Sequence, residues 1–205
     1  MTEKELMLSE HLYSSKDSVL LSEFNYAKRL IQLINSTTEK QSEYRLSLFR
    51  QLFKKMGENS WIEPPFHCDY GYNISIGQNF YANYDCIILD ACNVTIGNNV
   101  FLGPRVNIYT AGHPIDSTIR NLQLEYGKKV SIGNDVWIGG TTVINPGVTI
   151  GNNVVIGSGS VVTKNIPSGV IAAGNPCKVL RSITETDKIF WTSEAEKYYK
   201  IKNSI

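Results

Sequence analysis

The feature that most constrains the fold of this chain is an aliphatic side chain that recurs at every sixth position. The period appears at Ile76, Ala82 and Ile88, again at Ile96, Leu102 and Ile108, and then without a break at Ile132, Ile138, Ile144, Ile150, Ile156 and Val162. A second small or β-branched residue follows four positions after each member of the longest run, at Val136, Thr142, Val148, Val154, Ser160 and Ile166. A period of six fits neither an α-helix nor an ordinary alternating strand. It is typical of a hexapeptide β-helix, in which one aliphatic side chain per repeat packs inward.

The composition limits which classes of binding partner and which cellular location we expect for this protein. The chain has 205 residues and a formal net charge of +1, so no overall positive field favours nucleic acid. We expect no membrane span and no signal peptide, because no stretch has the required apolar length. The four cysteines show no CxxC spacing, and we interpret them as reduced thiols of a cytoplasmic protein.

Residues 1–60 lack the six-residue period and predict a helical cap. Apolar residues at helical spacing predict helices over Glu3–Ser9, Ser22–Ile34 and Ser42–Met56. A cap of this kind would shield the unpaired edge at one end of a β-helix.

The rest of the chain divides into a β-helix domain, residues 61–183, and a C-terminal helix, residues 184–205. We expect the regular repeats to begin near Ile74, after the break at Pro64-Pro65. Residues 110–129 interrupt two runs that would otherwise be continuous. A β-helix accommodates such an insertion by ejecting it as a loop, and such loops often carry function.

Only three histidines are present, and one of them begins this loop. His113 lies in Thr110-Ala111-Gly112-His113-Pro114, whereas His11 falls in the cap and His67 near the entrance to the β-helix. A neutral imidazole can remove a proton from a hydroxyl near physiological pH, although a solvated loop histidine is an equally simple interpretation. The three are too dispersed for the zinc site of the β-helix carbonic anhydrases, so we predict no metal.

The end of the repeat region combines cations with small residues. Thr163-Lys164, Lys178 and Arg181 would suit an anionic cofactor, although surface cations are usually just solvated. Gly139-Gly140 and Ser158 leave little side chain on one edge, where a long thin ligand could lie against the backbone.

Several longer segments make the chain resemble the galactoside/maltose-type O-acetyltransferases of the hexapeptide-repeat acyltransferase superfamily. The similarity covers most of the sequence. The matching segments are Gly57-Glu58-Asn59-Ser60-Trp61-Ile62-Glu63-Pro64-Pro65-Phe66, Asp69-Tyr70-Gly71, Asn79-Phe80-Tyr81-Ala82-Asn83, Gly112-His113-Pro114, Leu124-Glu125-Tyr126-Gly127, Val136-Trp137-Ile138-Gly139, Val143-Ile144-Asn145-Pro146-Gly147-Val148 and Ala172-Ala173-Gly174-Asn175-Pro176-Cys177.

The resemblance implies a mainly β fold, a left-handed parallel β-helix with an N-terminal helical cap, an ejected loop and a C-terminal helix. It also implies a homotrimer with its active sites between subunits. Acetyl-CoA would donate an acetyl group to a hydroxyl of a saccharide, with no metal, nucleic acid or membrane involved.

The resemblance also implies roles for individual residues. His113 matches the general base, which would deprotonate the acceptor hydroxyl for direct attack on the thioester in a ternary complex. The implied acceptor-binding residues are Asp69, Tyr81, Asn83 and Glu125, where Glu125 would either orient His113 or contact the acceptor. The implied CoA-binding residues are Trp137, Gly140, Ser158, Thr163, Lys164, Lys178 and Arg181; Gly140 would present its N–H to the thioester carbonyl, and Trp137 would either line the cleft or pack between subunits.

The chain departs from the family pattern on the acceptor side. Phe24 stands where relatives carry an arginine, a carboxylate near Ser14 is shifted or absent, and Ala91 replaces an acidic residue that often follows Asp90. Such groups discriminate strongly between sugars. The acceptor therefore stays open, and we weigh two alternatives to O-acetylation: N-acetylation of an amino sugar, and a β-helix that serves as a scaffold without catalysis.

Overall fold

The structure is a computed structural model that describes residues 1–203, and its main body is a parallel β-helix. The helices are α1 (Glu3–Leu8), α2 (Ser18–Asn35), α3 (Ser42–Leu52), α4 (Ser117–Arg120) and α5 (Glu185–Lys202), with a short 3-10 helix at Glu39–Gln41. The strands are β1 (Tyr13–Ser14), β2 (Lys55–Met56), β3 (Trp61–Ile62), β4 (Phe66–Cys68), β5 (Ile74–Ile76), β6 (Tyr81–Ala82), β7 (Cys86–Leu89), β8 (Val94–Ile96), β9 (Phe101–Leu102), β10 (Asn107–Tyr109), β11 (Ala111–Gly112), β12 (Leu124–Gly127), β13 (Val130–Ile132), β14 (Val136–Ile138), β15 (Val143–Ile144), β16 (Thr149–Ile150), β17 (Val154–Ile156), β18 (Val161–Val162), β19 (Val170–Ala173) and β20 (Lys178–Ser182).

Three sheets form the faces of the β-helix, and each coil contributes one strand to each face. Sheet I contains β2, β5, β8, β13 and β16; sheet II contains β3, β6, β9, β14, β17, β19 and β20; sheet III contains β4, β7, β10, β15 and β18. The pairs are parallel except for the last strand of sheet II, which turns back antiparallel. This arrangement confirms the predicted β-helix architecture.

The six-residue positions fill the core as predicted. Ile138 and Ile144 are fully buried, and all the repeat aliphatics named above are at most 3% exposed. The second position of each repeat is also buried, including the polar Thr142 and Ser160, whose hydroxyls donate to the carbonyl of Gly157. The core therefore excludes water along its whole length, and hydrophobic burial holds the stacked coils together.

The β-helix begins one coil earlier than the prediction near Ile74. Strand β2 pairs with β5 through Met56↔Ile76, so the first coil starts at Lys55. The sequence signal is weak there because the core positions carry methionine and cysteine, Met56 and Cys68, in place of aliphatic residues. Helix α3 ends at Leu52 and does not reach the predicted Met56, because the chain becomes extended at Phe53 and Met56 belongs to β2.

The cap helices continue the core of the β-helix. Helix α2 begins four residues earlier than the predicted Ser22, because the Asp17 side chain accepts hydrogen bonds from the N–H groups of Val19 and Leu20. Phe49 of α3 packs edge-on against Phe66 of β4, with ring centroids 5.5 Å apart. The cap thus covers the apolar end of the first coil.

The predicted loop leaves the β-helix between β10 and β13. Asn98 and Asn134 are hydrogen-bonded neighbours 36 residues apart, whereas the next coil, between Asn134 and Asn152, spans 18. The extra chain forms α4 and the hairpin β11–β12, and β12 also pairs with β1 of the cap through Tyr13↔Glu125. A three-stranded sheet therefore fixes the loop to the N-terminal segment.

Helix α5 follows the β-helix and buries none of its residues in the single chain. None of the helices among the described residues has the length and apolar character that crossing a bilayer requires.

Candidate active site

A cavity of about 260 Å³ lies where the cap, the first coil and the ejected loop meet. Its lining consists of Tyr13, Ser15, Leu20, Leu21, Phe24, Asp69, Tyr70 and Glu125. Two of the four predicted acceptor-binding residues, Asp69 and Glu125, are thus brought together although they are distant in sequence. They share this cavity with Phe24, which the sequence analysis placed on the acceptor side, and with Tyr13 and Tyr70, to which it gave no role.

A buried carboxylate holds the backbone that carries Asp69. Asp90 is fully buried, and its Oδ1 accepts hydrogen bonds from the N–H groups of Asp69 at 3.0 Å and Tyr70 at 2.9 Å. Its Oδ2 accepts from the N–H of Asn73 at 3.3 Å, and the Asn73 side chain donates to the Asp90 carbonyl at 2.7 Å. Asp90 therefore fixes the turn that presents Asp69 and Tyr70 to the cavity.

Glu125 is held by the N-terminal segment. Its carboxylate accepts hydrogen bonds from the Ser15 hydroxyl at 2.8 Å and the Tyr13 hydroxyl at 3.2 Å. Within residues 1–203 no hydrogen bond joins it to His113. Of the two roles left open by the sequence, this geometry favours contact with the acceptor.

The electrostatics of the cavity disfavour additional negative charge. Burial, and next the negative charge of Glu125, raise the pKa of the Asp69 carboxyl to about 6. Burial likewise raises the pKa of Asp90 to about 7 and, with help from Glu125, raises that of the Tyr13 phenol well above its usual range. Carboxyl groups with such perturbed values cluster at functional sites more often than elsewhere.

His113 is exposed at the end of β11. The hairpin pairs Ala111↔Gly127 and Gly112↔Tyr126, and continuing this register by one residue sets His113 opposite Glu125. Opposed residues of antiparallel strands lie about 5 Å apart between Cα atoms. His113 thus lies one position beyond the last observed pair of the hairpin, Gly112↔Tyr126, on the side of the loop that carries Glu125.

Tyr81, Asn83 and Trp137 lie elsewhere, along sheet II and the corner that follows it. The register Tyr81↔Phe101↔Trp137 forms an outward row, in which Phe101 is 49% and Trp137 56% exposed. Asn83 directly follows β6, and its N–H donates to the Leu102 carbonyl at 3.0 Å. Trp137 is exposed and Tyr81 and Asn83 are partly exposed, and the three form an aromatic and amide edge away from Asp69.

Gly140 and Ser158 lie at that same corner, one coil apart. A Cβ on the neighbouring Gly139 would approach the Ser158 nitrogen to 2.5 Å, so glycine is required for the coils to stack. The Gly140 carbonyl accepts from the Gly159 N–H at 2.9 Å, but its own N–H has no acceptor within the described chain. An N–H of this kind is free to stabilise a ligand carbonyl.

The remaining predicted CoA-binding residues lie near the last coil but not all at this corner. Lys178 begins β20 opposite Ala173, which packs against Gly157, whereas Thr163 and Lys164 follow β18 of sheet III. Thr163, Lys164 and Lys178 are exposed. Arg181 pairs with Ile171, next to Val155 and Trp137 in the same row, so Trp137 and Arg181 are about 14 Å apart along sheet II. The Arg181 guanidinium already forms a two-point ion pair with Asp187, at 2.7 and 2.8 Å.

The predicted site residues thus form two groups on different corners of the β-helix. Asp69, Glu125 and His113 follow the strands of sheet III, whereas Asn83, Gly140 and Ser158 precede them. Strands of three or four residues separate the two corners by about 10–13 Å. One chain does not bring the groups into contact.

The three positions that depart from the family pattern all lie at or near the cavity. Phe24 lines the cavity and packs edge-on against Tyr70, with centroids 6.1 Å apart. Ala91 is buried in the apolar cluster beneath it, and the Ser14 N–H donates to Glu3 at 2.6 Å. An apolar wall therefore stands where relatives are expected to carry charge.

No group of three histidine, cysteine, aspartate or glutamate side chains in the described part of the chain has the arrangement of a metal site. All four cysteines are free thiols and buried.

Comparison with known proteins agrees with the architecture. The family model for the bacterial transferase hexapeptide (six repeats) matches residues 129–164, and that for the maltose acetyltransferase hexapeptide capping motif matches residues 6–57. A galactoside O-acetyltransferase of Escherichia coli (strain K12) is 46% identical over 178 residues, which are 87% of this chain and 86% of the relative.

Two solved structures share the fold over most of the chain. A maltose O-acetyltransferase from Clostridium difficile 630 has a TM-score of 0.87 and 53% identity, covering 90% of this chain and 98% of that one. A galactoside acetyltransferase in complex with coenzyme A has a TM-score of 0.89 and 44% identity, covering 92% and 94%.

Proposed function

Because this chain belongs to the galactoside and maltose O-acetyltransferase family of hexapeptide-repeat acyltransferases, we propose that it transfers an acetyl group from acetyl-CoA to a hydroxyl of a saccharide or related acceptor. The observation that carries this proposal is the placement of His113. It is exposed on the ejected loop and directly follows Gly112, whose partner Tyr126 is the neighbour of Glu125 in the cavity.

In this mechanism His113 is the general base. Its neutral imidazole accepts the proton of the acceptor hydroxyl, whose oxygen attacks the thioester carbonyl while both substrates are bound. The C–S bond breaks, an ester C–O bond forms, and the proton passes from His113 to the departing sulfur. General base catalysis contributes roughly 10²–10⁴-fold, and holding two substrates together contributes several further powers of ten.

Binding of acetyl-CoA is assigned to the edge that runs from Trp137 to Arg181. The free N–H of Gly140 suits the developing negative charge on the thioester oxygen. Ser158 and Lys178 continue along the same side toward the last coil, and Thr163 and Lys164 would reach the ligand from the next corner, after β18. Arg181 would bind a phosphate by sharing its guanidinium with Asp187.

We further propose a homotrimer whose sites lie between subunits. The separation of the His113 group from the Gly140 group in one chain supports this, since a neighbouring copy would bring one group opposite the other. The outward row of Tyr81, Phe101 and Trp137, in which the last two are exposed, would be covered in such an assembly. Light scattering would give three times the chain mass, and a monomer would contradict the intersubunit site.

We assign the protein to the cytoplasm, which fits its four unpaired thiols. The direct test of the activity is release of free thiol from acetyl-CoA with glycosides, disaccharides, amino sugars and sugar nucleotides as acceptors. Turnover with one class that yields a base-labile ester supports the proposal. An amide product, which mild base does not cleave, would indicate the N-acetyltransferase. Failure to bind CoA at all would favour the scaffold.

A further inference from the structure

The cavity holds two carboxylates, and none of its lining residues is basic. Asp69 and Glu125 supply the negative charge, and the remaining lining side chains are hydroxyl, aromatic or aliphatic. The family position at which an arginine is expected is filled by Phe24. The charge of the cavity is therefore not balanced from within.

The hydrogen bonds of Asp69 and Glu125 do not neutralise the negative charge of the cavity. Among residues 1–203, Glu125 is hydrogen-bonded only to the neutral hydroxyls of Tyr13 and Ser15. The Asp69 carboxylate accepts no hydrogen bond from any described residue, because only its backbone N–H is engaged, by Asp90. Both groups consequently retain acceptor capacity for a ligand.

The charged residues around the cavity do not neutralise Asp69 and Glu125 either. Lys28 is the one cation whose field lowers the pKa of Asp69, and its effect ranks behind burial and Glu125. Its ammonium lies 4.3 Å from the centroid of the Phe24 ring and does not line the cavity. Of the other nearby carboxylates, Glu23 is paired with Lys4 at 2.6 Å, and Asp90 accepts the backbone N–H groups of Asp69 and Tyr70.

Aromatic rings complete the environment. Phe24, Tyr70 and Tyr13 all line the cavity, and the first two pack edge-on. Aromatic faces attract a desolvated cation, particularly beside carboxylates. An ammonium group in the cavity would be attracted by both the aromatic rings and the carboxylates. It would also reduce the repulsion between Asp69 and Glu125.

We propose that the acceptor is an amino sugar or another hydroxyl compound with a protonated amine, whose ammonium binds between Asp69 and Glu125 while its hydroxyl is acetylated. This inference rests on the proposed function and names its substrate class. The protonated nitrogen has no free electron pair and does not attack the thioester, so the product is an ester that retains its amine. A volume near 260 Å³, below the roughly 300 Å³ of typical ligand pockets, fits one sugar ring.

The test compares matched pairs that differ only at one position, glucosamine with glucose and galactosamine with galactose. Thiol release from acetyl-CoA gives kcat/KM, and calorimetric titration without acetyl-CoA gives the affinity. We expect at least one amino member to be preferred about tenfold or more near pH 7, in line with one added ion pair. The preference should fall toward about pH 5, because Asp69, with a pKa of about 6, then becomes protonated.

Three variants locate the preference. Glu125→Gln and Asp69→Asn should each reduce it to about threefold or less, through a higher KM for the amino sugar. Glu43→Gln removes the same charge from an exposed position on α3 and should leave the preference unchanged.

The outcomes separate this inference from the proposed function. Equal or better use of both neutral sugars overturns the inference and leaves the transferase intact, and an N-acetyl product also overturns it. If no acceptor releases thiol, the proposed function fails, and the titration still decides the inference: preferential binding of an amino sugar that Glu125→Gln abolishes upholds it, and its absence overturns it.

Discussion

Replacing Asp90 with asparagine should change how stability depends on pH. Asp90 is fully buried, and burial raises the pKa of its carboxyl from 3.8 to about 7. The folded protein therefore holds this proton more tightly than the unfolded chain does. Between about pH 4 and about pH 7 the folded state binds more protons, so the free energy of unfolding falls as the pH rises through this range.

The magnitude follows from the size of the shift. About three pKa units correspond to roughly 4 kcal/mol, which wild type loses between these pH limits and Asp90→Asn does not. The substitution also has a cost, because an amide NH₂ in place of Oδ2 would face the N–H of Asn73, a donor. Leaving that buried donor unpaired costs about 1–3 kcal/mol.

Together, the pKa shift and the unpaired donor predict how the difference in stability between Asp90→Asn and wild type changes with pH. Near pH 4 the variant should be less stable than wild type by about 1–3 kcal/mol. Near pH 8 the difference should disappear or reverse, because the charged carboxylate is then costly in wild type. Urea unfolding at both pH values, at one fixed protein concentration, measures the difference; Asp85→Asn, at an exposed carboxylate, is the control. A deficit of the same size at both pH values would refute the reasoning.

Two further substitutions test the core and the loop. Ile138→Ala removes a fully buried side chain from the middle of the β-helix, and denaturant unfolding should show a loss of about 2–5 kcal/mol, whereas an effect below about 1 kcal/mol would contradict the packing. Gly112→Ala would place a Cβ 2.6 Å from the outer end of the Tyr126 ring, so either this ring or the backbone beside His113 has to shift, and kcat should fall with little change in stability. Tyr126→Ala in the same chain should restore part of the loss, and no restoration would argue against the clash.

The fold was predictable from the sequence because the six-residue pattern of buried side chains that produces it is local and recurs along the chain. Each buried position, such as Ile138, recurs six residues from the next, and the period alone identifies the side chains that point inward. The prediction was wrong where the chemistry of the repeat changes, at the first coil, because Met56 and Cys68 do not look like its aliphatic positions. The start of α2 at Ser18 was missed because the cap at Asp17 lies before the apolar pattern begins.

The cavity was only partly predictable, because its contacts span long distances in sequence. Asp69 and Glu125 were found through family resemblance, but the hydrogen bond of Tyr13 to Glu125 joins residues 112 apart. No short-range pattern marks such a pair. Asp90 was noticed only as a neighbour of Ala91, since its three backbone donors appear only when the turn at residues 69–73 is folded.

The roles of individual residues remain predictions, and the most direct test of the central one uses two of the three histidines of this chain. Thiol release from acetyl-CoA is compared for wild type, His113→Ala and the control His11→Ala, which removes an exposed imidazole from the cap. We predict that His113→Ala loses at least about a hundredfold in kcat while retaining CoA affinity and oligomeric mass, and that His11→Ala retains full activity. Full turnover in His113→Ala would contradict the proposed mechanism.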